Sequence, residues 1–188
     1  MKSSRQYRIL YYFGETLGFM QKWQRLHFIS EMESHGYEIE VFNPLIYADL
    51  EDANEECIKH LKLSAANFDL FMTCENDKTL FASTVDMVKR CGLPSLLICF
   101  DNLHAPFKHK IISPLFDLVW LTSKETEKYF KQWGCTTIFM PYAANPSNFK
   151  PSFEKEISSI CFVGTPYGSR SEIINELTSN KLDISLFN

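Results

Sequence analysis

Asp101 and His104 stand three residues apart, just after the apolar run at 96–100. A carboxylate and an imidazole so spaced can orient one another, and either can accept a proton from a hydroxyl. His104 precedes Ala105-Pro106, which puts the pair on a loop, where the plainer role for Asp101 is to cap the next turn. A second chemistry belongs to Gly164-Thr165-Pro166-Tyr167-Gly168-Ser169-Arg170. A glycine-bounded loop between a predicted strand and a predicted helix leaves backbone N–H groups for an anion, Ser169 can cap, and Arg170 can grip a diphosphate with two parallel hydrogen bonds. The plainer reading is a turn with a surface arginine, and the Gly-Lys-Ser/Thr of a Walker A loop is absent. Gly14-x-x-x-Gly18 is a weaker loop of the same kind, suited to a phosphate or a sugar hydroxyl. It is not G-x-G-x-x-G, and Asn43-Pro44 occupies the place where a dinucleotide ribose needs an acid, which disfavours an NAD-type dehydrogenase.

These groups need a scaffold, and the hydrophobic periodicity describes one. Residues 7–13 read as a strand ending at Gly14, and the segment after them places Phe19, Met20, Trp23, Leu26 and Ile29 on one half of a helix. Gly36 stops that helix, and 37–42 form a second strand. A helix over 54–66 and a strand over 69–74 follow. Asp77 reads as the N-cap of a helix carrying Phe81, Val85 and Val88, ahead of a strand at 96–100. A short helix over 108–115 leads to a strand at 117–121. Thr122-Ser123-Lys124-Glu125 then fits a capping box for a helix with stripe Tyr129, Phe130 and Trp133, ended by Gly134 before a strand at 136–140. The pattern restarts with a strand at 159–163, a second capping box at Ser169-Arg170-Ser171-Glu172, a helix stripe of Ile173, Ile174 and Leu177, and a strand at 182–187.

Strands alternating with helices imply right-handed crossovers. The expected fold class is α/β: a Rossmann-like parallel sheet with helices on both faces, followed by a partial second β-α-β unit. The expected organisation is a domain over 1–150, a linker over 151–157, and the opening of an incomplete second domain over 158–188. In open parallel sheets ligands bind outside the carboxyl ends of the strands. That rule collects Gly14, Glu15 and Gly18 after the first strand, Glu75 after the third, and Asp101, Asn102 and His104 after the fourth. Ser123 follows the fifth, and Tyr142 and Asn145 the sixth. A solvated turn at Glu75 and a cap at Ser123 are the plainer roles for those two.

The chain has 188 residues, about one and a quarter domains by length. Hydrophobic residues at 45% and charged residues at 22% describe an ordinary globular chain, and a net charge of -4 gives no footprint for nucleic acid. No apolar run approaches the roughly 20 residues of a membrane helix, and no small-residue cleavage site follows the first apolar run, so a cytoplasmic protein without a transmembrane segment is expected. Cysteines 57, 74, 91, 99, 135 and 161 lack metal-type spacing and read as buried thiols, Cys99 and Cys161 within apolar runs.

Three stretches carry a family likeness: Phe116-Asp-Leu-Val-Trp-Leu-Thr-Ser-Lys-Glu, then Trp133-Gly-Cys, then Phe139-Met-Pro-Tyr-Ala-Ala-Asn145-Pro-Ser-Asn-Phe149-Lys-Pro151. They resemble the last strand-helix-strand and interdomain linker of GT-B glycosyltransferases. With the following Phe162-Val-Gly-Thr-Pro-Tyr-Gly-Ser-Arg170, the likeness is nearest to the spore-maturation-protein group of family 1-like enzymes. It is specific from Asp117 to Arg170 and topological before that. The resemblance implies two Rossmann-like domains facing a cleft, the acceptor held mainly by the first and a nucleotide-sugar mainly by the second. It places Gly14 and Gly18 where the first loop approaches donor or acceptor, Asn145 at the hinge, and Gly164, Thr165, Gly168 and Arg170 in the first donor-side loop. The E-x7-E element of many retaining members belongs beyond Asn188, and the acid that usually grips the nucleoside ribose is absent.

Two readings follow. In one, the chain is a truncated GT-B glycosyltransferase that moves a sugar from a nucleotide-diphosphate sugar to a hydroxyl acceptor, with no cofactor and no metal required. Asp101 or His104 serves as base in an inverting reaction, or positions the acceptor in a retaining one. In the other, it is a non-catalytic α/β binding or assembly module that self-associates through its C-terminal β-α-β.

Overall fold

Six short β-rich segments pair as parallel strands: β1 (Arg8–Tyr12), β2 (Glu38–Phe42), β3 (Leu70–Thr73), β4 (Ser95–Cys99), β5 (Leu118–Leu121) and β6 (Thr137–Phe139). Their order in the sheet is β2-β1-β3-β4-β5-β6. This computed structural model describes residues 6–16, 18–103, 105–143, 145, 150, 160–166 and 168–187. Ile9 lies opposite both Ile39 and Leu70, and Trp120 opposite both Ile98 and Ile138, so β1 and β5 are interior strands with apolar neighbours on each side. The fold is Rossmann-like α/β. Among the described residues no helix is long and apolar enough to cross a membrane.

Side chains alternate between the faces of a strand, and the two cores follow that period. Leu10 and Tyr12 join Cys57 and Leu61 of α3 (Leu50–Ser64), Val85 and Val88 of α4 (Ala82–Arg90) and Phe130 of α5 (Glu127–Gln132). Ile9, Tyr11 and Phe13 join Phe28, Ile29 and Met32 on the other face. The connection from β1 to β2 runs one way along the sheet and the later ones run the other way. Among the described residues, right-handed crossovers therefore place the first helical segment on one face and the later helices on the other.

That segment is α1 (Phe19–Gln24), a π turn (Arg25–Ile29) and α2 (Ser30–Ser34). A plain α-helix would bury Leu26, yet Leu26 is 55% exposed while Gln24 and Ile29 are each 1% exposed. The Gln24 amide supplies the reason: its Oε1 accepts from the Tyr11 hydroxyl at 3.0 Å, and its Nε2 reaches the Cys74 sulfur at 3.8 Å. Gln24 thus takes an inward position, and the wider π turn carries Phe28 and Ile29 onto the sheet behind it.

Other boundaries differ for equally local reasons. Asp77 does not cap a helix; its carboxylate accepts from the amides of Ile111 and Ile112 at 2.9 and 3.1 Å. α4 starts five residues later, and Asn54 of α3 accepts from Phe81 N–H at 2.9 Å and from the Thr84 hydroxyl at 2.7 Å. The helix expected over 108–115 is two 3-10 turns, Pro106–His109 and Ser113–Leu115, because Pro114 lacks the N–H that a continuous helix would use. Neither capping box forms: α5 follows a 3-10 turn without a side-chain cap, and the helix at Ser169 is preceded by Gly168. Gly134 ends α5 as expected, with φ at +85°, where Cys135 N–H returns to the Phe130 carbonyl at 3.0 Å.

The chain divides into two compact units, Met1–Ala143 and Ala144–Asn188. In the second, β7 (Ile160–Val163) and β8 (Ile184–Phe187) pair in parallel around α6 (Ser169–Ser179). None of its described residues is buried, and Val163 and Phe187, paired across the strands, are 75% and 56% exposed. Cys161 is exposed rather than buried, because a single β-α-β unit covers only one face of its strands, and Cys91, at the C-terminal end of α4, is exposed as well. In the first unit, burial pushes the Cys57 and Cys74 thiols up to about 12, which keeps them protonated and unreactive.

His109 is 4% exposed, and its Nδ1 has no hydrogen-bond partner among the described residues. Burial, aided by Lys108, lowers its pKa to about 4. The unfolded chain, with an imidazole pKa near 6.5, binds this proton first, so stability is present above pH ~6.5 and is lost as the pH falls toward ~4. The expected loss is about 3 kcal/mol across that range. Urea unfolding of the wild type and His109→Gln at several pH values checks it: the fall in stability between pH ~6.5 and ~4 should be smaller in the variant by about that amount, and parallel pH dependences would remove His109 from the account.

Candidate functional site

The strand order reverses between β1 and β3, so their carboxyl ends frame the crevice such sheets offer a ligand. Gly14 N–H donates to Glu75 Oε1 at 2.8 Å, and the Thr79 hydroxyl donates to Oε2 at 2.6 Å. Glu15 N–H donates to Asn43 Oδ1 at 3.1 Å. Two of the loop amides expected to be open, those of Gly14 and Glu15, are therefore held, the first by a carboxylate. A phosphate here would face the Glu75 charge, whereas a hydroxyl, which donates as well as accepts, suits the place. Position 14 is closely approached: a Cβ would sit 3.2 Å from Glu75 Oε1 and 3.4 Å from Leu45, so a side chain there would push the Glu75 carboxylate aside by a few tenths of an ångström. The Glu15 carboxylate is itself clasped by Arg25, with Nε and Nη2 at 2.5 and 2.8 Å, and this hydrogen bonding raises the Arg25 pKa. Gly18 is exposed and precedes α1, its carbonyl accepting from Lys22 N–H at 3.2 Å.

At the end of β4, Asp101 is exposed and held at φ +52°, a left-handed conformation uncommon for a residue with a side chain. Tyr142 fastens it: the phenol donates to Asp101 Oδ1 at 3.1 Å and accepts from Asp101 N–H at 3.2 Å. Burial, with the Asp101 carboxylate adding, raises the Tyr142 pKa, so the phenol stays a proton donor. Asn102 turns the other way. It is fully buried, its Oδ1 accepts from Thr122 N–H, the Thr122 hydroxyl and Ser123 N–H, and its Nδ2 donates to the Ser123 carbonyl and the Thr126 hydroxyl. Both groups of the carboxamide are spent inside the protein, which gives Asn102 a structural role in the loop after β5 instead of the ligand contact expected of it, while Ser123 joins that network through its backbone N–H and carbonyl.

Beside Asp101 an aromatic hollow of about 210 Å³ opens between the first helical segment and the ends of β4 and β5. Phe100 is its centre. Tyr142 stacks on it at 5.9 Å and 14°, while Trp23 and Phe28 meet it edge-on at 5.6 and 6.1 Å. Trp120 lies 6.0 Å from Phe28 and donates its indole N–H to the Met140 carbonyl at 2.8 Å. His27, Pro141 and Ala143 complete the lining.

In the second unit, Gly164 and Gly168 have φ of +127° and +57°, and the loop between them leads into α6. Gly164 N–H is used by the Phe187 carbonyl at 2.8 Å, and Arg170 Nη1 lies 3.4 Å from the Thr165 carbonyl. Ser169 is the first residue of α6, and its neighbour Ser171 donates back to the Pro166 carbonyl at 2.8 Å. Asn145 is half-buried in the same unit. His104 and Tyr167 lie outside the described residues.

The carboxyl-end rule thus brings together Gly14, Glu15 and Glu75 in one cluster and Asp101 with Tyr142 in another. It misses Asn43, which ties the Glu15 loop, and the ring lining of the hollow. The available signal for the latter was Phe100 and Trp120, large aromatics at or near strand carboxyl ends.

Neither a protein-family model nor a curated protein matches the chain. Among solved structures it is similar to the last common ancestor of HMPPK and PLK/HMPPK vitamin kinases, with TM-score 0.47 and 11% identity over 73% of this chain and 79% of that one. It is also similar to a carbohydrate transporter from Acidothermus cellulolyticus 11B in complex with myo-inositol, with TM-score 0.39 and 11% identity over 98% of this chain and 74% of that one. At such identities and superpositions these likenesses say nothing of activity. The fold rests on the strand order itself.

Proposed function

We infer that the chain is the acceptor-side domain and first donor-side β-α-β of a GT-B glycosyltransferase, which moves a sugar from a nucleotide-diphosphate sugar to a hydroxyl acceptor. The observation that carries this reading is the capture of the Gly14 and Glu15 amides by Glu75 and Asn43. It makes the sheet's carboxyl-end crevice a place for hydroxyls rather than phosphates, as an acceptor side requires. The diphosphate then belongs to the glycine-bounded loop ahead of α6, where helix amides and Arg170 would meet the charge of the leaving group. In an inverting reaction Asp101 takes the acceptor proton, the acceptor oxygen bonds to the anomeric carbon, and the bond to the diphosphate breaks with its electron pair going to phosphate. The reading takes the protein to be cytoplasmic, in keeping with its free cysteines.

Calorimetric titration with UDP, GDP and their sugar conjugates tests it. Saturable binding is expected, weakened about tenfold or more in Arg170→Ala, the cost of one charge-assisted contact. A second reading, a non-catalytic assembly module, is favoured by the exposed apolar pair Val163 and Phe187. Absence of binding to every nucleotide, together with self-association in sedimentation, would replace the first reading by the second.

A further inference from the structure

We propose that the aromatic hollow beside Asp101 is a subsite for one neutral pyranose ring of a saccharide. The inference deepens the acceptor-side reading by naming the class of acceptor, yet the binding it asserts is measured without donor or transfer. Its first support is shape and chemistry. The hollow, at about 210 Å³, falls below the roughly 300–1,000 Å³ of sites for drug-sized ligands, so it has room for a single ring. Its walls are aromatic, and Tyr142, the outermost ring, is stacked on Phe100 yet 54% exposed, leaving phenol surface for a ligand. A pyranose offers an apolar C–H face to such rings and a perimeter of hydroxyls that both donate and accept. The hollow has polar groups at its rim in the His27 imidazole and the Tyr142 phenol; the phenol's proton is held by the Asp101 carboxylate at 3.1 Å, so its oxygen is offered to a hydroxyl as an acceptor. Among the described residues no carboxylate or ammonium lines the hollow, which fits an uncharged guest better than a cation.

The backbone supplies a second, independent support. His27 and Phe28 belong to the π turn, and π turns inside helices are rare and gather at functional sites. Across the hollow, Asp101 is held at φ +52° by Tyr142. Sparsely populated backbone conformations persist where the surroundings impose them and cluster at ligand sites. Two such departures, on elements far apart in sequence, bracket the same hollow.

Tryptophan fluorescence reads occupancy, because Trp23 and Trp120 line the hollow while Trp133 packs against Phe130 and Phe107 elsewhere. Methyl glucopyranosides, methyl galactopyranosides, N-acetylglucosamine and cellobiose are the probes, with cyclohexanol and tetramethylammonium chloride as the apolar and cationic comparisons. At least one pyranoside should give a saturable change that survives Trp133→Phe, shrinks in Trp23→Phe, and weakens about tenfold in Tyr142→Ala. Circular dichroism confirms that each variant is folded. Saturation by tetramethylammonium or cyclohexanol alone, or by no probe at any soluble concentration, would overturn the proposal. Pyranoside binding in a chain that binds no nucleotide would leave the subsite standing and remove the transferase reading.

Discussion

Asn102→Ala is expected to lower unfolding stability by about 4 kcal/mol, the largest single-residue effect outside the apolar core. The alanine removes an acceptor shared by Thr122 N–H, the Thr122 hydroxyl and Ser123 N–H, and a donor used by the Ser123 carbonyl and the Thr126 hydroxyl. These partners are buried or nearly so, and each buried polar group left without a partner costs about 1–3 kcal/mol. The strand end after β5 relaxes enough to rehydrate some of them, which keeps the total below the sum. Denaturant unfolding should show a lower midpoint with an unchanged slope, and hydrogen exchange should speed selectively at the Thr122 and Ser123 amides. A change under about 0.5 kcal/mol, the scale of ordinary surface substitutions, would mean that water replaces Asn102 without penalty.

Asp101→Asn should leave the fold intact and lower kcat by about 10²- to 10⁴-fold if Asp101 is the base of an inverting transfer. Asparagine is the informative substitution, because it tolerates the left-handed φ of +52° and keeps an oxygen for the Tyr142 phenol. The change then removes the proton acceptor and little else. Tyr142→Phe should cost less, since it loosens the carboxylate while leaving its charge. Steady-state kinetics with a productive donor and acceptor separate the outcomes: a fall in kcat at constant KM fits a base, and a rise in KM alone fits acceptor positioning, as in a retaining enzyme. Activity within threefold of wild type would exclude Asp101 from either role.

The order of strands and helices was legible because each element carries its own period and its own stop, as Gly134 shows after α5. Caps and loop anchors were not. Asn54 caps α4 from 27 residues away, and Asp77 secures the amides of Ile111 and Ile112 from more than 30, contacts that no local motif announces. The site divides along the same line. Glu75 and Asp101 follow from their places at strand carboxyl ends, whereas Asn102, one residue on, points inward because the chain turns at Asp101. The aromatic hollow escaped because Trp23, Phe100 and Trp120 each read locally as core residues and become a lining only when three elements meet.

A π turn holds one residue more than the α turn it replaces, so the Arg25–Ile29 segment behaves as an insertion already accommodated by the fold. The extra residue offsets the helix before it from the helix after it by roughly 100° of rotation. One helical segment thereby serves two surfaces: Trp23, His27 and Phe28 line the hollow, while Gln24, Ile29 and Met32 face the sheet. Substitutions can accumulate on the first surface without turning the second out of the core. A one-residue deletion within 25–29, in contrast, would lock the two together and force the chain to choose between its ring lining and its packing.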